Sequence, residues 1–195
     1  MEAKACGLIT VVGPALQEDW AANLAELAGR FRPAALIFKA PAKEPLAQIL
    51  KKAKLIQLAI LLVDSMDDVR NSGADGIYFS SPDATIAQAR QMLGSAAIIG
   101  AACGLSRHAA MESAEAGADF VAFDASDPSA WQEAANLSSW WDELTAVPGA
   151  LLLGTSRPDS SLLAVARPDF ILIEETGHAG ESLTFATELG LQSQT

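Results

Sequence analysis

The sequence of 195 residues predicts an α/β fold, a single (β/α)8 barrel of the TIM type with short helices that spans residues 1–195. Three observations predict it: eight short apolar runs, helical periodicity between them, and a recurrent entry into every second run. Short runs that are rich in β-branched residues and bounded by glycine, proline or a charge are typical of buried parallel strands. The predicted strands are Leu8–Val12, Ala35–Lys39, Gln57–Val63, Gly76–Phe79, Ala97–Ala101, Phe120–Phe123, Ala150–Leu153 and Phe170–Ile173.

The segments between the runs carry apolar residues at helical spacing, and strands that alternate with helices indicate a parallel sheet. Pro41 and Pro45 leave only Leu46–Ala53 for the second helix, because proline interrupts a helix interior. The polar tail, residues 189–195, is expected to fray. The clearest helices are Glu18–Gly29, Ala84–Leu93, Arg107–Ala116 and Trp131–Leu144.

The even-numbered strands share an entry. The last residues of strands two, four, six and eight lie 41, 44 and 50 residues apart, a step that fits a βαβα quarter of a barrel. The glycine of the entry suits a helix C-cap, and the aspartate suits the loop that redirects the chain. An open doubly wound sheet is the main alternative, but it does not predict a fourfold recurrence. The clearest entries are Gly73-Ala74-Asp75, Gly117-Ala118-Asp119 and Pro168-Asp169.

The charge excludes some classes of partner. The chain has 24 acidic residues against 13 lysines and arginines, a formal net charge of -11. We therefore expect no binding to nucleic acid, whose phosphates require a basic surface, and none to an anionic membrane. A small phosphorylated ligand stays compatible, since one metal ion or a few cations reverse the field locally.

The sequence predicts a cytoplasmic protein. No apolar run approaches the roughly 20 residues of a membrane span, and the first residues lack the pattern of a secretory signal. Cys6 and Cys103 lie far apart in sequence, which favours reduced thiols over a disulfide framework. The sequence leaves the formation of a homo-oligomer open.

Several motifs resemble one enzyme family. The stretch from Gly73 to Asp83, followed by Ala87–Arg90 and Ile98–Gly100, resembles the centre of thiamine-phosphate synthases, whose sister branch consists of thiazole tautomerases. Gly117–Phe123 resembles the next strand of that family, and the likeness covers nearly the whole chain in order and spacing. The resemblance implies that an aminopyrimidine pyrophosphate is joined to a thiazole phosphate in thiamine biosynthesis, with Mg²⁺ as the cofactor and pyrophosphate as the leaving group.

Two aspartates match the metal positions that the resemblance implies. Asp64 follows strand three and Asp83 follows strand four. Charge moves onto the pyrophosphate as its carbon–oxygen bond breaks, so the site requires a metal and cations, and Mg²⁺ prefers oxygen ligands. An aspartate after a strand is also a common helix N-cap or turn residue. The residues alone favour the capping interpretation, and the resemblance supports a metal role equally, so both interpretations stay open.

The phosphate-binding groups are fewer. Lys39, at the end of strand two, stands where the resemblance implies a cation for the pyrophosphate, while Ile37 and Pro41 replace the glutamine and the lysine of the family. After strand seven, backbone amides and hydroxyls can serve a substrate phosphate, as the last loops of such barrels do. The residues that offer them are Gly154, Thr155 and Ser156.

Acidic residues stand where the family has phosphate-binding groups. They follow strand six and end strand eight, and we expect them to be solvated or, alternatively, to form a cluster for a metal ion or a cationic ligand. Ala125 replaces the histidine of the tautomerase branch, which argues against that activity. His178, in the loop after strand eight, is a candidate ligand or acid–base group or an ordinary loop histidine. The acidic residues are Asp124, Asp127, Glu174 and Glu175.

Two hypotheses of function remain. The first is a thiamine-phosphate synthase with a divergent site. The second is a family member that has lost this reaction and binds a ligand, regulates, or catalyses a different small-molecule reaction. The reduced cation set around Lys39 favours the second, and the sequence assigns no catalytic residue.

Overall fold

The computed structural model describes residues 5–41, 43–81, 85–158, 160–191 and 193. Within them, eight parallel strands pair in chain order and close into a barrel, β1-β2-β3-β4-β5-β6-β7-β8, which confirms the predicted fold class. The strands are β1 Gly7–Val12, β2 Ala35–Phe38, β3 Ala59–Val63, β4 Gly76–Phe79, β5 Ile98–Gly104, β6 Phe120–Asp124, β7 Gly149–Gly154 and β8 Phe170–Glu174.

An α-helix follows each strand, and short 3-10 helices precede the first and the sixth helix. None of the helices in the described ranges combines the length and the hydropathy that crossing a bilayer requires. The helices are α1 Gln17–Arg30, α2 Lys43–Ile56, α3 Met66–Ser72, α4 Ile86–Leu93, α5 Arg107–Glu115, α6 Trp131–Leu144, α7 Ser160–Ala166 and α8 Glu181–Glu188.

The second helix is longer than predicted. It runs over 14 residues, because Pro45 lies in its first turn, where backbone N–H groups have no partner within the helix. Gln57, at φ 53°, ends the helix and delays β3 to Ala59. The prediction of a helix confined to Leu46–Ala53 was therefore wrong.

The strands divide the core in two, because successive side chains point to opposite faces. The inward set fills the barrel, where Tyr78 stacks on Phe120 with ring centroids 6.0 Å apart. The outward set packs under the helices, together with the fully buried Trp20 and Trp141. The barrel is therefore a packed core, and the C-terminal mouth is the face where barrels of this type bind their ligands.

The aspartates of the repeat have a structural role at the opposite, N-terminal end. Each accepts a hydrogen bond from a backbone N–H of the preceding odd-numbered strand: Asp75 from Ile60 at 2.8 Å, Asp119 from Ile99 at 2.7 Å, and Asp169 from Gly149 at 2.9 Å. These carboxylates join neighbouring strands and do more than redirect the chain. In the predicted frayed tail, Leu191 donates its backbone N–H to Ala186 and the hydroxyl of Ser193 accepts from Arg32.

Candidate functional site

The C-terminal mouth carries charged residues that continue the inward-facing alternation of the strands. Lys39 follows Ala35 and Ile37 on the inner face of β2, and Glu174 follows Phe170 and Leu172 on that of β8. The Lys39 Nζ atom lies 2.8 Å from a carboxylate oxygen of Glu174, and both side chains are partly exposed. The predicted pyrophosphate cation is thus already paired with an acid of this chain.

Asp64 lies exposed at the mouth, in a left-handed conformation with φ 55°. Its backbone N–H donates to the carbonyl of Tyr78, and its carboxylate accepts from the backbone N–H of Ser80 at 2.8 Å and from the Ser80 hydroxyl. Ser65, and not Asp64, caps α3 by accepting from Asp68. The capping interpretation of Asp64 was therefore wrong. Asp83 lies outside the described residues.

One carboxylate at the mouth fits a magnesium ligand. A carboxylate offers about four lone-pair sites, and the two donors of Ser80 take one on each oxygen of Asp64. These hydrogen bonds fix the orientation of the Asp64 carboxylate, as hydrogen-bond donors around metal sites do for the metal ligands. Across the described ranges, no group of three or more His, Cys, Asp or Glu side chains lies close enough to hold a metal ion. Magnesium sites built on one or two carboxylates and substrate phosphates do not require such a group.

The loops after β6 and β7 are joined to each other. Gly154 has φ 57°, and a Cβ atom there would lie 3.2 Å from the Cβ atom of Ser126. The Ser156 hydroxyl donates to the carbonyl of Ser126, and the Ser156 backbone N–H donates to Leu153. Thr155 is exposed between them. The structure therefore brings these three predicted residues to the mouth, with both Ser156 donors already in use.

The four acidic residues do not form a common cluster. Asp124 accepts from the backbone and the hydroxyl of Ser126, at 2.9 and 2.6 Å. Asp127 begins a 3-10 helix, and the N–H of Ser129 holds the pKa of its carboxyl below the usual range. Glu174 pairs with Lys39. Glu175 points away from the mouth, since adjacent residues of a strand face opposite sides.

Glu175 binds the N-terminus of α8. It is only 4% exposed, and its carboxylate accepts from the backbone N–H groups of Gly180, Glu181 and Ser182 at 3.2, 3.0 and 3.3 Å. The Ser182 hydroxyl donates to it at 2.6 Å and lies 2.9 Å from the Thr10 hydroxyl. The expectation that Glu175 is solvated was wrong, because its side chain lies between β1 and α8.

Arg157 is a mouth cation that the sequence did not single out. Its guanidinium donates to the carbonyls of Gly154 and Ser156, lies over the ring of Phe185, and comes within 3.9 Å of Glu181. Arg157 follows the predicted Gly154–Ser156 loop directly, and a search for cations near that loop would have found it. The contact with Glu181 joins the loop after β7 to the start of α8, which no local pattern reveals.

Tyr78 is the second residue that sequence reasoning missed. Its hydroxyl is buried and has no hydrogen-bond partner within the described part of the chain. Burial, and then the charges of Cys103, Asp124 and Asp64, raise the pKa of this phenol, so the hydroxyl stays neutral at physiological pH. A buried, unpartnered hydroxyl close to Asp64 and Asp124 is suited to contact a ligand.

The histidines contribute little to this geometry. His108 pairs with Glu112 on the exposed face of α5, at 3.3 Å. His178 is exposed in the loop between β8 and α8, where its carbonyl accepts from the N–H of Glu181. A role of His178 as an acid–base group stays a prediction.

A comparison with protein families shows to which family the chain belongs. A family profile described as thiamine monophosphate synthase matches residues 35–149, from β2 to the first residue of β7. The chain belongs to the thiamine monophosphate synthase family. The matched region contains Lys39, Asp64 and Tyr78, whereas Arg157, Glu174 and Glu175 lie beyond it.

Relatives within the family share about a third of the aligned residues. The chain is similar to the thiamine-phosphate synthase of Rhodospirillum centenum, with 33% identity over 121 residues that cover 60% of this chain and 58% of that protein. It is also similar to that of Erythrobacter litoralis, with 32% identity over 131 residues, 64% of this chain and 62% of that protein. The chain thus spans about three fifths of the length of these curated relatives.

Solved structures share the fold at low sequence identity. Thiamine phosphate pyrophosphorylase from Pyrococcus furiosus superposes with a TM-score of 0.68 at 15% identity, covering 93% of this chain and 96% of that chain. A mutant tryptophan synthase α-subunit from the same organism superposes with a TM-score of 0.69 at 11% identity, covering 96% and 99%. At such identities the likeness concerns the barrel alone.

Proposed function

We propose that this thiamine monophosphate synthase family chain transfers the aminopyrimidine group from its pyrophosphate ester to a thiazole phosphate, in thiamine biosynthesis. The observation that carries the proposal is Asp64, which lies inside the family match and has its carboxylate exposed at the mouth and oriented by Ser80. In (β/α)8 barrel enzymes, the residues at the C-terminal ends of the strands form the active site, and Asp64 lies at such an end. The reaction is expected in the cytoplasm.

Magnesium fits the proposal as the cofactor, with Asp64 and Asp83 as the residues that would hold it. When bound, Mg²⁺ neutralises the charge that collects on the departing pyrophosphate. Ser80 positions Asp64 for that task through its N–H and hydroxyl groups.

Lys39 is the proposed contact of the chain with the pyrophosphate. An ammonium group has three donors, and Glu174 uses one of them. The remaining donors can bind pyrophosphate oxygens, although Glu174 weakens the positive field there. The thiazole phosphate is expected near Gly154, Thr155 and Ser156, across the mouth.

A turnover assay tests the function. The full chain is incubated with the aminopyrimidine pyrophosphate, the thiazole phosphate and Mg²⁺, and thiamine phosphate is quantified. We expect product formation that EDTA abolishes and that Asp83→Ala removes. The absence of thiamine phosphate would refute the proposal, and an unaffected rate in Asp83→Ala would refute the metal role of that residue.

The pairing of Lys39 with Glu174 favours a second candidate, a barrel of this family that binds a ligand without catalysis. The same assay separates the two functions, since only the first gives product.

Light scattering on the eluting protein tests the prediction of a homo-oligomer, which would appear as a multiple of the 20.4 kDa chain mass.

A further inference from the structure

The barrel interior below the C-terminal mouth holds a polar group without a hydrogen-bond partner. Tyr78 is 4% exposed, and none of the described residues donates to its hydroxyl or accepts from it. Buried polar groups nearly always have a partner, because a buried hydroxyl without one keeps the full cost of its desolvation. We therefore expect a ligand to supply the partner of this hydroxyl.

The residues between the Tyr78 ring and the mouth are small or partly exposed. Tyr78 stacks on Phe120, and the inward residues that come next on β5 and β6 are Ala102 and Ala122, which are paired with each other. On the flanking strands β3 and β7, the inward residues nearest the mouth are apolar and only partly buried. An apolar floor with few polar groups is typical of a site for a flat organic ring. These two residues are Val63 and Leu152.

Asp124 supplies a hydrogen-bond acceptor on the same side of the barrel. It follows Phe120 and Ala122 on the inner face of β6. The N–H and the hydroxyl of Ser126 both donate to its Oδ1 atom, at 2.9 and 2.6 Å, and none of the described residues donates to Oδ2. Burial and, after it, the charges of Cys103 and Asp124 raise the pKa of Tyr78, which indicates that Asp124 lies within electrostatic range of the hydroxyl.

The two side chains offer one donor and one acceptor. A neutral phenol can donate a hydrogen bond, whereas an ionised carboxylate only accepts. In an aminopyrimidine, the amino group stands on the carbon next to a ring nitrogen, so this amidine edge presents a donor beside an acceptor. A thiazole ring has no N–H donor, and a phosphate would be repelled by the charge of Asp124. Of the groups in the two substrates, the aminopyrimidine edge therefore fits the pair best.

We infer that Tyr78 and Asp124 bind the amidine edge of the aminopyrimidine ring, with the Tyr78 hydroxyl donating to the ring nitrogen and Asp124 Oδ2 accepting from the amino group. The inference rests on the proposed transfer and names the residues that determine its specificity for the pyrimidine. The Asp64 backbone N–H donates to the Tyr78 carbonyl at 3.1 Å, so the proposed metal ligand lies next to this ring site. That arrangement suits a substrate in which one methylene group joins the ring to the pyrophosphate.

A binding measurement tests the inference without turnover. The full chain is titrated in a calorimeter with the aminopyrimidine alcohol, which has a hydroxyl in place of the pyrophosphate, and with its oxo analogue. In the analogue a carbonyl replaces the amino group and the ring nitrogen carries a hydrogen, so both hydrogen bonds are reversed. We expect the amino compound to bind about 100-fold more tightly or better. Equal affinities, or no binding of the amino compound, would overturn the inference.

Two variants remove one hydrogen bond each. We expect Tyr78→Phe and Asp124→Asn to weaken the binding of the aminopyrimidine alcohol by about tenfold each, the usual effect of leaving one hydrogen-bonding group unpaired. Asp127→Asn is the matched control, because it makes the same charge change in the same loop and asparagine also caps a helix. The control should keep the affinity of the unaltered chain. An unchanged affinity in Tyr78→Phe or in Asp124→Asn would contradict the inference.

Thermal unfolding without a ligand separates a binding role of the Tyr78 hydroxyl from a structural one. Tyr78→Phe keeps the ring and removes a buried group that has no partner in the described chain. We expect its Tm to equal or exceed that of the unaltered chain, because the cost of burying the hydroxyl is removed. A lower Tm would show that the hydroxyl stabilises the fold, which would contradict the inference.

The kinetic assay distinguishes failure of the inference from failure of the proposed transfer. In both variants we expect the KM for the aminopyrimidine pyrophosphate to rise by about tenfold, while the KM for the thiazole phosphate stays that of the unaltered chain. A rise in both KM values, or in neither, would count against the pyrimidine contact. If the unaltered chain forms no thiamine phosphate, the transfer is refuted, and the calorimetric titrations still decide whether Tyr78 and Asp124 bind the aminopyrimidine.

Discussion

At the scale of single residues, the aspartates before β4, β6 and β8 form a sequence repeat with a structural role, because each binds a backbone N–H of the neighbouring strand. Asp119 accepts from the Ile99 N–H at 2.7 Å and from Arg90 at 2.7 Å, while its own backbone N–H donates to Ile99. Asp75 and Asp169 repeat the carboxylate bond on β3 and β7. The recurrence in the sequence therefore reflects strand pairing at the N-terminal end of the barrel, at three of its four quarters.

Replacement of one such aspartate should destabilise the barrel. Asp119→Ala leaves the Ile99 N–H without its side-chain acceptor and removes the carboxylate partner of Arg90, which keeps its backbone carbonyl partners. We expect a loss of about 1–3 kcal/mol in the free energy of unfolding. Urea denaturation of Asp67→Ala is the control, since Asp67 makes only an exposed pair with Arg70 and should cost less than about 0.5 kcal/mol. Equal losses in both variants would contradict this role.

The two thiols should differ in reactivity. Burial raises the pKa of the Cys103 thiol and leaves it 1% exposed, whereas Cys6 is partly exposed. Because the thiolate is the reactive form, the raised pKa keeps Cys103 protonated at pH 8. We expect a thiol reagent at pH 8 to modify Cys6 alone in the folded chain and both residues in denaturant. Fast modification of Cys103 in the folded chain would count against its buried position.

At the scale of elements, the alternation of side chains along a strand and the residues in the first turn of a helix explain what the sequence predicted and what it missed. The strand β8 places Glu174 in the mouth and Glu175 against α8, because neighbouring residues of a strand point to opposite faces. The alternation predicts opposite faces for two consecutive glutamates. Their partners, Lys39 and the first amides of α8, could not be predicted because they depend on barrel closure and on where α8 begins. The predicted α2 was too short because Pro45 was taken to interrupt the helix, whereas a proline in the first turn is compatible with a helix.

The close packing of β5 on β6 gives a sharp test of the barrel interior. A Cβ atom at Gly100 would lie 2.1 Å from the Phe120 ring, so Gly100→Ala should destabilise the fold by about 1–3 kcal/mol through overpacking. Gly29→Ala, in α1 with open space around it, should stabilise the fold by about 0.5–1 kcal/mol. Thermal unfolding of the two variants measures both changes in stability. A Gly100→Ala variant as stable as the unaltered chain would be inconsistent with the close packing of this interior.

At the scale of the whole molecule, the sequence predicts the barrel well and the site in part. The buried runs and the quarter repeat are local signals, and they gave the strand order around the closed sheet. Pairs such as Lys39 with Glu174 are 135 residues apart and meet only when the barrel closes. No pattern along the chain contains that contact. The same closure pairs Lys39, the cation expected to bind pyrophosphate, with an acid of this chain.

The central claim is that the family reaction takes place at the C-terminal mouth, through Asp64. The most direct measurement is the rate of product formation by Asp64→Asn at saturating substrates, because asparagine can keep the contact with Ser80 while losing the charge. We expect the rate to fall by about 100-fold or more, whereas Asp67→Asn, on the exposed face of α3, should retain the rate of the unaltered chain. An Asp64→Asn variant as fast as the unaltered chain would contradict the claim.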